Sequence, residues 1–319
     1  MMIDVSIVIV CMNNLDNLYP CLDSIKTQTK KVRYETFVVA YLFSEDKILK
    51  LKTDYPWVII IESNEIRGFS ENNNLALRLA KGKYCFVLND DTYHRESVID
   101  ELFDELNNLP EQIAILSPII LNVDGSVQYC GRPKYNLFTY TLDCFRLSFL
   151  YNRRSKYMNQ KGCFETFNIL GAAFMIRSDI FKKMGYFDEY YFFCPEDIAL
   201  STKLNENGYK CYVTRNVRLT HIGGGTWSKT LRATKPATIK GLHRFYCNMH
   251  WFLSLYFLAL STLSLSFKTC FWFVSNVIRG SEHKKTLLGA NKNAIYALFS
   301  RLSPKQLFIK YYEKLKKAQ

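Results

Sequence analysis

The sequence lacks any pair of cysteines spaced as Cys-x-x-Cys, although ten cysteines occur among its 319 residues. A secretory leader is also not expected, because the apolar start from Val5 to Val10 has no basic flank and no small-residue cleavage site. Scattered thiols without a leader indicate reduced cysteines in a cytoplasmic protein and argue against a disulfide-stabilised secreted one. The sequence has no internal repeat and no low-complexity segment.

Acidic residues are scarce in the last part of the chain. Residues 231–319 hold 15 Lys and Arg but only 2 Asp and Glu, whereas residues 1–230 hold 27 of each. All of the net charge of +13 therefore lies in the last stretch. This asymmetry predicts a separate module with an anionic partner, either a membrane surface or a nucleic acid. We expect a globular domain over residues 1–230 and a basic, apolar helical region over residues 231–319.

The apolar part of this last region favours lipid over nucleic acid. The run Phe245–Phe267 contains no Asp, Glu, Lys or Arg and is long enough to span a bilayer. Both of its flanks are basic and several serines dilute it, so we expect an interfacial or re-entrant helix at the inner face of the plasma membrane. A nucleic-acid-binding protein would instead expose basic and aromatic residues together. The alternative is a helical pair that packs on the first domain.

Strand and helix patterns alternate through the first 90 residues, and this order predicts a doubly wound, mostly parallel α/β sheet. Its most informative stretch is the apolar run Tyr84–Leu88, which continues directly into Asn89, Asp90 and Asp91. Ligands bind at the carboxyl ends of such strands, and adjacent carboxylates repel each other unless a cation lies between them. Two interpretations stay open from the residues alone: a metal site, or an N-cap for a helix that begins near Tyr93.

Taken in order, five blocks of the sequence resemble the family 2 inverting glycosyltransferases of GT-A fold, and among them the rhamnosyltransferase-like enzymes of bacterial surface polysaccharide synthesis. The blocks are Val5–Asn13, Arg67-Gly68-Phe69 with Asn73-Asn74, Leu88–Thr92, Gly171–Asp197 and His221–Thr226. Together they span about the first 230 residues. The resemblance implies transfer of a sugar from a nucleotide-diphosphate donor to a hydroxyl group of a lipid-linked or polysaccharide acceptor.

The resemblance also implies a divalent cation, Mg²⁺ or Mn²⁺, which offsets the charge of the departing diphosphate. Asp91 matches the last acid of the family's Asp-x-Asp motif and is the expected metal ligand. Asn89 replaces the first acid and is expected to contact the donor, with Asp90 in a supporting role. His221 resembles a second ligand, and the glycines at 223–225 would let the backbone approach a phosphate. The alternative for His221 is a hydrogen-bonded structural residue.

The remaining predicted site residues serve the acceptor and the donor. The family places its general base in the pair Glu196-Asp197, and we expect Asp197 to be the base and Glu196 to orient the acceptor. The apolar segment Phe192–Pro195 ahead of this pair would raise a carboxylate pKa. A favourable charge at a helix N-terminus is the alternative explanation of the pair. The expected donor contacts are Asn13, Arg67, Gly68, Asn73, Asn74 and Gly171. The alternative interpretation of Arg67 is a solvated charge on a surface loop.

The sequence departs from the family pattern after the second predicted strand. Ala40–Ser44 lacks the aspartate with which the family reads the nucleobase, so the base stays open. A deoxysugar donor such as dTDP-rhamnose is expected from the resemblance alone. Two rivals use the same sheet and acids: a nucleotide-sugar-binding protein without catalysis, and a nucleotidyltransferase. The segment Cys11–Asn14 has neither the glycine nor the basic residue that a nucleotidyltransferase loop usually carries.

Overall fold

The computed structural model describes residues 2–151, 154–223 and 225–317, without the side chains of residues 154–155 and 225–229. Ten strands are present among the described residues: Val5–Met12 (β1), Tyr34–Tyr41 (β2), Ile59–Ser63 (β3), Tyr84–Asn89 (β4), Thr92–Tyr93 (β5), Ile113–Leu121 (β6), Val127–Tyr129 (β7), Cys163–Thr166 (β8), Ala173–Arg177 (β9) and Lys210–His221 (β10).

The same residues contain twelve α-helices and a short 3₁₀ turn at Ser148–Leu150. The helices are Leu15–Gln28 (α1), Glu45–Asp54 (α2), Phe69–Leu77 (α3), Val98–Asn108 (α4), Leu137–Cys144 (α5), Arg154–Met158 (α6), Ser178–Lys183 (α7), Glu196–Glu206 (α8), Gly225–Cys247 (α9), Trp251–Ile278 (α10), Glu282–Phe299 (α11) and Pro304–Lys316 (α12).

The strands form one mixed sheet in the order β3-β2-β1-β4-β9-β6-β10-β5, with β7 added to β6 and β8 added to β10. β3, β2, β1 and β4 are parallel to one another, and β6 and β10 are parallel to each other, whereas β9 runs antiparallel between β4 and β6. The mostly parallel α/β sheet is therefore confirmed. Antiparallel pairing of β9 carries Gly171 and Ala172 to the end of β4 at which the acidic residues lie.

Side chains alternate between two apolar cores, one on each face of the sheet. On β4, Phe86 and Leu88 point into one core with residues of α1 and α4, whereas Val87 points into the other with residues of α3, α7 and α8. Continuous runs of Val and Ile with both faces buried are typical of parallel strands covered by helices. The central strands are therefore rigid supports for the loops at their ends.

Two predicted local features are corrected by the structure. Thr92 does not cap a helix, because Thr92–Tyr93 forms β5, in which Thr92 pairs with His221 of β10. The next helix, α4, begins only at Val98, with Ser97 as its N-cap. Over residues 129–167 aromatic and basic residues alternate without a clear period, which predicts a loop, but this stretch contains α5, α6 and β8. Both errors have one cause, since these elements depend on partners far away in the sequence.

The chain divides into two compact units that are each built from several segments. The first unit comprises Met1–Lys134, Arg153–Asp188 and Asp197–Gly223, and contains the sheet. The second unit comprises Tyr135–Asn152, Glu189–Glu196 and Gly224–Gln319, and contains α5 and α9–α12. The domain boundary that the sequence predicts after residue 230 stays a prediction.

The second unit contains the helix that is long and apolar enough to cross a membrane, α10, as far as the described residues show. It begins after Asn248 and Met249, whose φ angles of 40° and 66° break the chain direction after α9. Its inward side includes polar residues such as Ser261, whose hydroxyl bonds the Tyr140 hydroxyl of α5 at 2.8 Å. Its outward side carries exposed apolar residues at helical spacing, Phe252, Leu255, Leu263, Phe267, Phe271, Val274 and Ile278. The exposed side of α10 is therefore as apolar as a protein core.

Candidate active site

The acidic loop after β4 is held on both sides by backbone hydrogen bonds. The Asn89 N–H donates to the Ala172 carbonyl at 2.9 Å, and the Thr92 hydroxyl donates to the Asn89 carbonyl at 2.7 Å. The Ile222 N–H donates to the Asp91 carbonyl at 2.9 Å, which joins the loop to the end of β10. Asn89 ends β4, and Asp90 and Asp91 therefore have a fixed backbone although they lie outside regular secondary structure.

Asp91 and His221 meet at this point, as the sequence predicted for two ligands of one cation. The Asp91 Oδ1 lies 3.1 Å from the His221 Nε2, and the Asn89 side-chain nitrogen lies 3.3 Å from the same ring nitrogen. The Gly223 N–H donates to the Asp91 Oδ2 at 3.1 Å, and Gly223 has a φ of 71°, which favours glycine. Gly224 of the predicted glycine run lies outside the described residues.

The two aspartates differ in how readily they ionise. Burial opposes ionisation of Asp91, but the hydrogen bond and charge of His221 and the Gly223 N–H outweigh it and hold the pKa of Asp91 below its ordinary value. Burial raises the pKa of Asp90 to about 6, a change that the Cys11 thiol opposes and the Asp91 charge increases. Asp91 is therefore the better anionic ligand of the pair.

Gln128 of β7 orients His221, and the sequence analysis did not identify it. The His221 Nδ1 lies 2.6 Å from the Gln128 Oε1, and the Gln128 amide nitrogen donates to the Asn122 Oδ1 at 2.9 Å. The Asn122 amide in turn donates to the Ser126 hydroxyl, which donates to Asp124 at 2.6 Å. An ionised carboxylate only accepts hydrogen bonds, so Asp124 determines which group donates and which accepts in each hydrogen bond of this series.

The direction of these hydrogen bonds determines which nitrogen of His221 is available to a metal ion. Because the Gln128 oxygen faces Nδ1, that nitrogen carries a proton. A protonated ring then also donates from Nε2 to Asp91, whereas a neutral ring presents the Nε2 lone pair there. This tautomer is the one that a metal ligand at Nε2 requires. The signal in the sequence was slight, since Gln128 lies in no recognisable motif and its role arises from pairing between β6 and β7.

The donor atoms of Asp91 and His221 suit a divalent cation. The Asp91 Oδ1 and the His221 Nε2 lie 3.1 Å apart. Carboxylate oxygen suits Mg²⁺ and Mn²⁺, and imidazole nitrogen is a common metal ligand, so these two residues could hold one cation. The described residues contain no group of three or more His, Cys, Asp or Glu side chains that could enclose a metal. Cations with one or two protein ligands complete their shell with water and substrate phosphates. The residues present therefore fit a cation shared with a phosphate-bearing substrate.

Asp197 lies beside this loop, in the first turn of α8. Its Oδ2 accepts from the Gly171 N–H at 3.1 Å, and its Oδ1 accepts from the Ile198 N–H at 2.8 Å. Because Ala172, the residue after Gly171, accepts from Asn89, adjacent residues hold the acidic loop and Asp197. Burial raises the pKa of Asp197, against the opposing charge of Arg132 and the backbone donors. Glu196 precedes it at the start of α8 and is also buried.

The predicted donor contacts at α3 fall into two groups. Asn74 is fully buried, and its amide both donates to the Phe187 carbonyl at 2.9 Å and accepts from the Phe187 N–H at 3.2 Å. Asn73 is also buried and donates to the Phe69 carbonyl of its own helix at 2.9 Å. These bonds give both asparagines a structural role; a donor contact by either one stays a prediction.

Of the remaining predicted donor contacts, Arg67 and Asn13 are partly exposed and Gly68 is buried. The Arg67 guanidinium donates to the Ser63 hydroxyl at 3.1 Å and forms an ion pair with Glu65 at 2.8 Å, so its charge is only partly solvated. Gly68 is the N-cap of α3. Asn13 accepts from the Ser44 N–H at 3.2 Å through its side chain, which ties the end of β1 to the segment that lacks the base-reading aspartate. The structure does not join these residues directly to Asp91 or Asp197.

Comparisons with known proteins identify the family of the chain. The family model described as glycosyl transferase family 2 matches residues 6–185, more than half of the chain. The O-antigen biosynthesis protein RfbC of Myxococcus xanthus is 23% identical over 214 residues, which cover 64% of this chain but only 15% of RfbC. The chain thus spans a small part of that relative's length.

Solved structures show the same fold at low sequence identity. A structure of GalNAc-T7 with UDP, GalNAc and Mn²⁺ has a TM-score of 0.56 and 17% identity, covering 70% of this chain and 44% of that one. The mannosyltransferase PcManGT of Pyrobaculum calidifontis, in complex with GDP-Man and Mn²⁺, has a TM-score of 0.52 and 14% identity, covering 100% of this chain and 86% of that one. The chain belongs to glycosyl transferase family 2 and has the GT-A fold.

Proposed function

We propose that the chain is an inverting, metal-dependent glycosyltransferase that uses Asp197 as its general base. The observation that carries the proposal is the junction at Gly171 and Ala172, where adjacent residues bond Asp197 and the loop of Asn89–Asp91. A metal-binding pair and a buried carboxylate are thereby held at one end of the central strands. Two solved GT-A structures with Mn²⁺ and a nucleotide or nucleotide sugar support a divalent cation here.

The proposed reaction is a single displacement at the anomeric carbon of the donor. The acceptor oxygen forms the new bond to that carbon, the bond to the diphosphate breaks, and Asp197 takes the acceptor proton. A bound divalent cation, held by Asp91 and His221, would offset the charge that develops on the departing diphosphate. Hydrogen bonds to both oxygens of Asp197 orient the carboxylate, and each oxygen keeps a lone pair for the proton. Glu196 would orient the acceptor.

The proposed substrates are inferred from the family resemblance and from the name of RfbC. The donor is a nucleoside diphosphate sugar, with rhamnose or another deoxysugar proposed, and Arg67, Gly68, Asn13, Asn73 and Asn74 as its proposed contacts. The acceptor is a lipid-linked saccharide or a polysaccharide, consistent with the O-antigen biosynthesis role named for RfbC. We place the protein at the cytoplasmic face of the membrane, with α10 lying in the interface.

A donor screen tests the proposal directly. Full-length protein is incubated with dTDP-, UDP- and GDP-sugars, with Mg²⁺ or Mn²⁺, and nucleotide release is measured with and without acceptor lipid extract. Acceptor-dependent release with one donor is the expected result. Binding of a donor without any turnover would favour the non-catalytic alternative. The anomeric configuration of the product, read by nuclear magnetic resonance, tests inversion separately.

Substitution of the base tests its assignment. We expect Asp197→Asn to lower the transfer rate by roughly 10²–10⁴-fold, because a general base contributes a factor of that size. Nucleotide binding should change little, since Asp197 bonds only backbone groups of its own unit. Transfer within a few-fold of wild type would exclude Asp197 as the base. Glu196→Gln serves as the comparison and should lose less activity.

A further inference from the structure

The interface of α9, α10 and α11 in the second unit collects hydrogen-bond donors that lack acceptors. Lys235 of α9 donates its ammonium group to the Asn291 Oδ1 of α11. Asn291 is 1% exposed, and its amide nitrogen has no partner among the described residues. The Arg232 Nε, one turn before Lys235, is also buried without a partner in the described part of the chain. A buried donor without a partner is unfavourable, because it has lost its hydrogen bonds to water and gained none in return.

Lys268 of α10 lies at the same height along the helix pair as Asn291 of α11. α10 and α11 form a helical hairpin in which the Lys284 ammonium donates to the Ser275 carbonyl at 2.9 Å. Lys268 precedes Ser275 by seven residues and Asn291 follows Lys284 by seven, so each lies two turns from that contact on antiparallel helices. Burial and then the charge of Lys268 lower the pKa of Lys235 to about 8. We call Arg232, Lys235, Lys268 and Asn291 the basic cluster.

No side-chain rearrangement within the basic cluster can satisfy its donors. Lys and Arg have no acceptor atoms, and Asn291 already presents its oxygen to Lys235. Turning the Asn291 amide would place its NH₂ group against the ammonium group. Residues 225–281, which include all of α9 and α10, contain no Asp or Glu. Glu282, the first residue of α11, interacts with the charge of Arg232, but its carboxylate is exposed and forms an ion pair with Lys285 at 2.7 Å. The cluster therefore needs an external acceptor that carries negative charge.

The backbone makes room for this arrangement. Gly289 of α11 lies under Arg232, since a Cβ added there would stand 3.0 Å from the Arg232 Nε and 3.4 Å from its Cδ. The Asn293 amide also donates to the Arg232 carbonyl at 2.9 Å. Arg232 is thereby held against α11 in the direction of Asn291. A cluster of incidental surface lysines would not show such fixed positions.

We propose that the basic cluster binds a phosphate group, with Arg232, Lys235, Lys268 and the Asn291 amide as its donors. Phosphate supplies several oxygen acceptors and negative charge, and Arg and Lys side chains are its usual partners in proteins. The exposed apolar side of α10 lies on the same helix as Lys268, so a lipid-borne phosphate is the expected source and a free phosphate is the other. This site belongs to the second unit and does not depend on the proposed transfer reaction.

The test compares full-length variants for binding to two kinds of probe. Lys235→Met removes the central charge, and Lys292→Met removes an exposed charge next to Asn291 on the same helix. Binding is measured to inorganic phosphate and pyrophosphate in solution, and to phosphatidylcholine vesicles with or without phosphatidic acid. We expect Lys235→Met to weaken binding to phosphatidic acid vesicles at least about tenfold, the size of a charge-assisted hydrogen bond. Lys292→Met should bind like wild type.

Two further measurements separate binding from folding. Urea unfolding in phosphate-free buffer shows whether Lys235→Met still folds, since this change removes a buried cation but also leaves the Asn291 Oδ1 without its donor, and Lys268→Met provides an independent variant if it does not. Equal loss of binding in Lys235→Met and Lys292→Met would overturn the proposal, as would absence of phosphate binding by wild type. Tight binding of soluble phosphate, lost in Lys235→Met, would assign the cluster to a free anion. Nucleotide binding at the first unit should be unchanged in every variant.

Discussion

The chemistry of single residues depends here on groups that fix their protonation. Burial raises the pKa of Asp197, and the charge of Arg132 opposes this rise. A base must be ionised to accept a proton, so transfer should fall as the pH drops through this raised pKa. Removing the positive charge in Arg132→Gln should raise the pKa of Asp197 further and move the acid limb of the rate profile to higher pH.

The pH profile of transfer, measured for both proteins at saturating donor, checks this expectation. Arg218→Gln is a suitable control because Arg218 lies exposed on β10 of the same unit. If the acid limb of Arg132→Gln coincided with those of wild type and the control, the limb would have to be assigned to another group.

Metal affinity should depend on Gln128 as well as on the two proposed ligands. Asp91→Ala and His221→Ala should each weaken Mn²⁺-dependent nucleotide binding, Asp91→Ala more, since an anionic ligand offsets the charge of the cation and a neutral imidazole does not. Gln128→Met removes the acceptor at the His221 Nδ1 and should weaken Mn²⁺ binding roughly 10-fold or more, the usual effect of losing such a partner. Gln128→Glu keeps an acceptor there and should recover much of the affinity.

Calorimetry with Mn²⁺ and UDP, GDP or dTDP in turn measures these differences. The absorption spectrum of bound Co²⁺ adds a readout of nitrogen ligation that a purely structural role of Gln128 would not alter. Unchanged Mn²⁺–nucleotide affinity in His221→Ala would return the histidine to a structural role. Equal losses in Gln128→Met and Gln128→Glu would show that the hydrogen bond to Nδ1 does not position the ring.

At the scale of elements, α3 combines residues that the sequence alone could not separate. Asn73 and Asn74 look alike in a motif, but Asn74 bonds both backbone groups of Phe187 in the core. Asn74→Ala should therefore lower the free energy of unfolding by about 2–4 kcal/mol, since it leaves a buried N–H and a buried C=O unpaired. Asn73→Ala should cost less, because its partner is a carbonyl of its own helix. Urea unfolding gives both values, and unchanged stability with weakened nucleotide binding in Asn74→Ala would instead support a donor contact.

Elements that depend on local pattern were predictable, and those that depend on distant partners were not. The apolar runs of β1, β2 and β4 predict buried strands because each face is covered by helices. β5 has two residues and exists only because it pairs with β10, more than 120 residues later. The helix-cap prediction at Thr92 failed for this reason. β10 likewise continues through Arg215–Val217, where its pairing with β6 shifts register. The interrupted apolar pattern of the sequence predicts two strands here, Lys210–Thr214 and Val217–Thr220, instead of one.

The candidate site shows the same distinction. The motifs predicted that Asn89, Asp91 and His221 lie together. They do so because the loop after β4 leads into β5, which pairs with the end of β10. Gln128 and Asn122 carry no such mark, since their contribution is a hydrogen-bond direction set by Asp124 in the turn between β6 and β7. The part of a site that contacts substrate can be read from motifs more readily than the part that orients it.

At the scale of the whole molecule, the charge and the exposed apolar surface of the second unit predict membrane binding. α10 packs Phe257, Leu260, Ser261 and Leu265 inward and exposes Phe252, Leu263 and Phe267. A helix on the surface of a soluble protein would have a polar exposed side instead. The sequence did not show that α5 and the turn after it add further exposed rings, Phe138, Phe145 and Phe149. An interfacial helix explains the apolar exposed side, and the basic residues would meet anionic head groups.

Sedimentation with anionic vesicles tests this expectation on the full chain. Wild type should sediment at low salt, and the double substitution Leu263→Asp with Phe267→Asp should lower the bound fraction at least tenfold, because fully burying each side chain is worth about 1.5–3 kcal/mol and a charge in the acyl region adds a further cost. Leu79→Asp is the matched control, an equally drastic change at an exposed leucine of the first unit. Wild-type protein that stays folded in the supernatant would refute membrane binding. Sedimentation of wild type and the double variant alike would leave the basic residues, rather than α10, as the membrane contact.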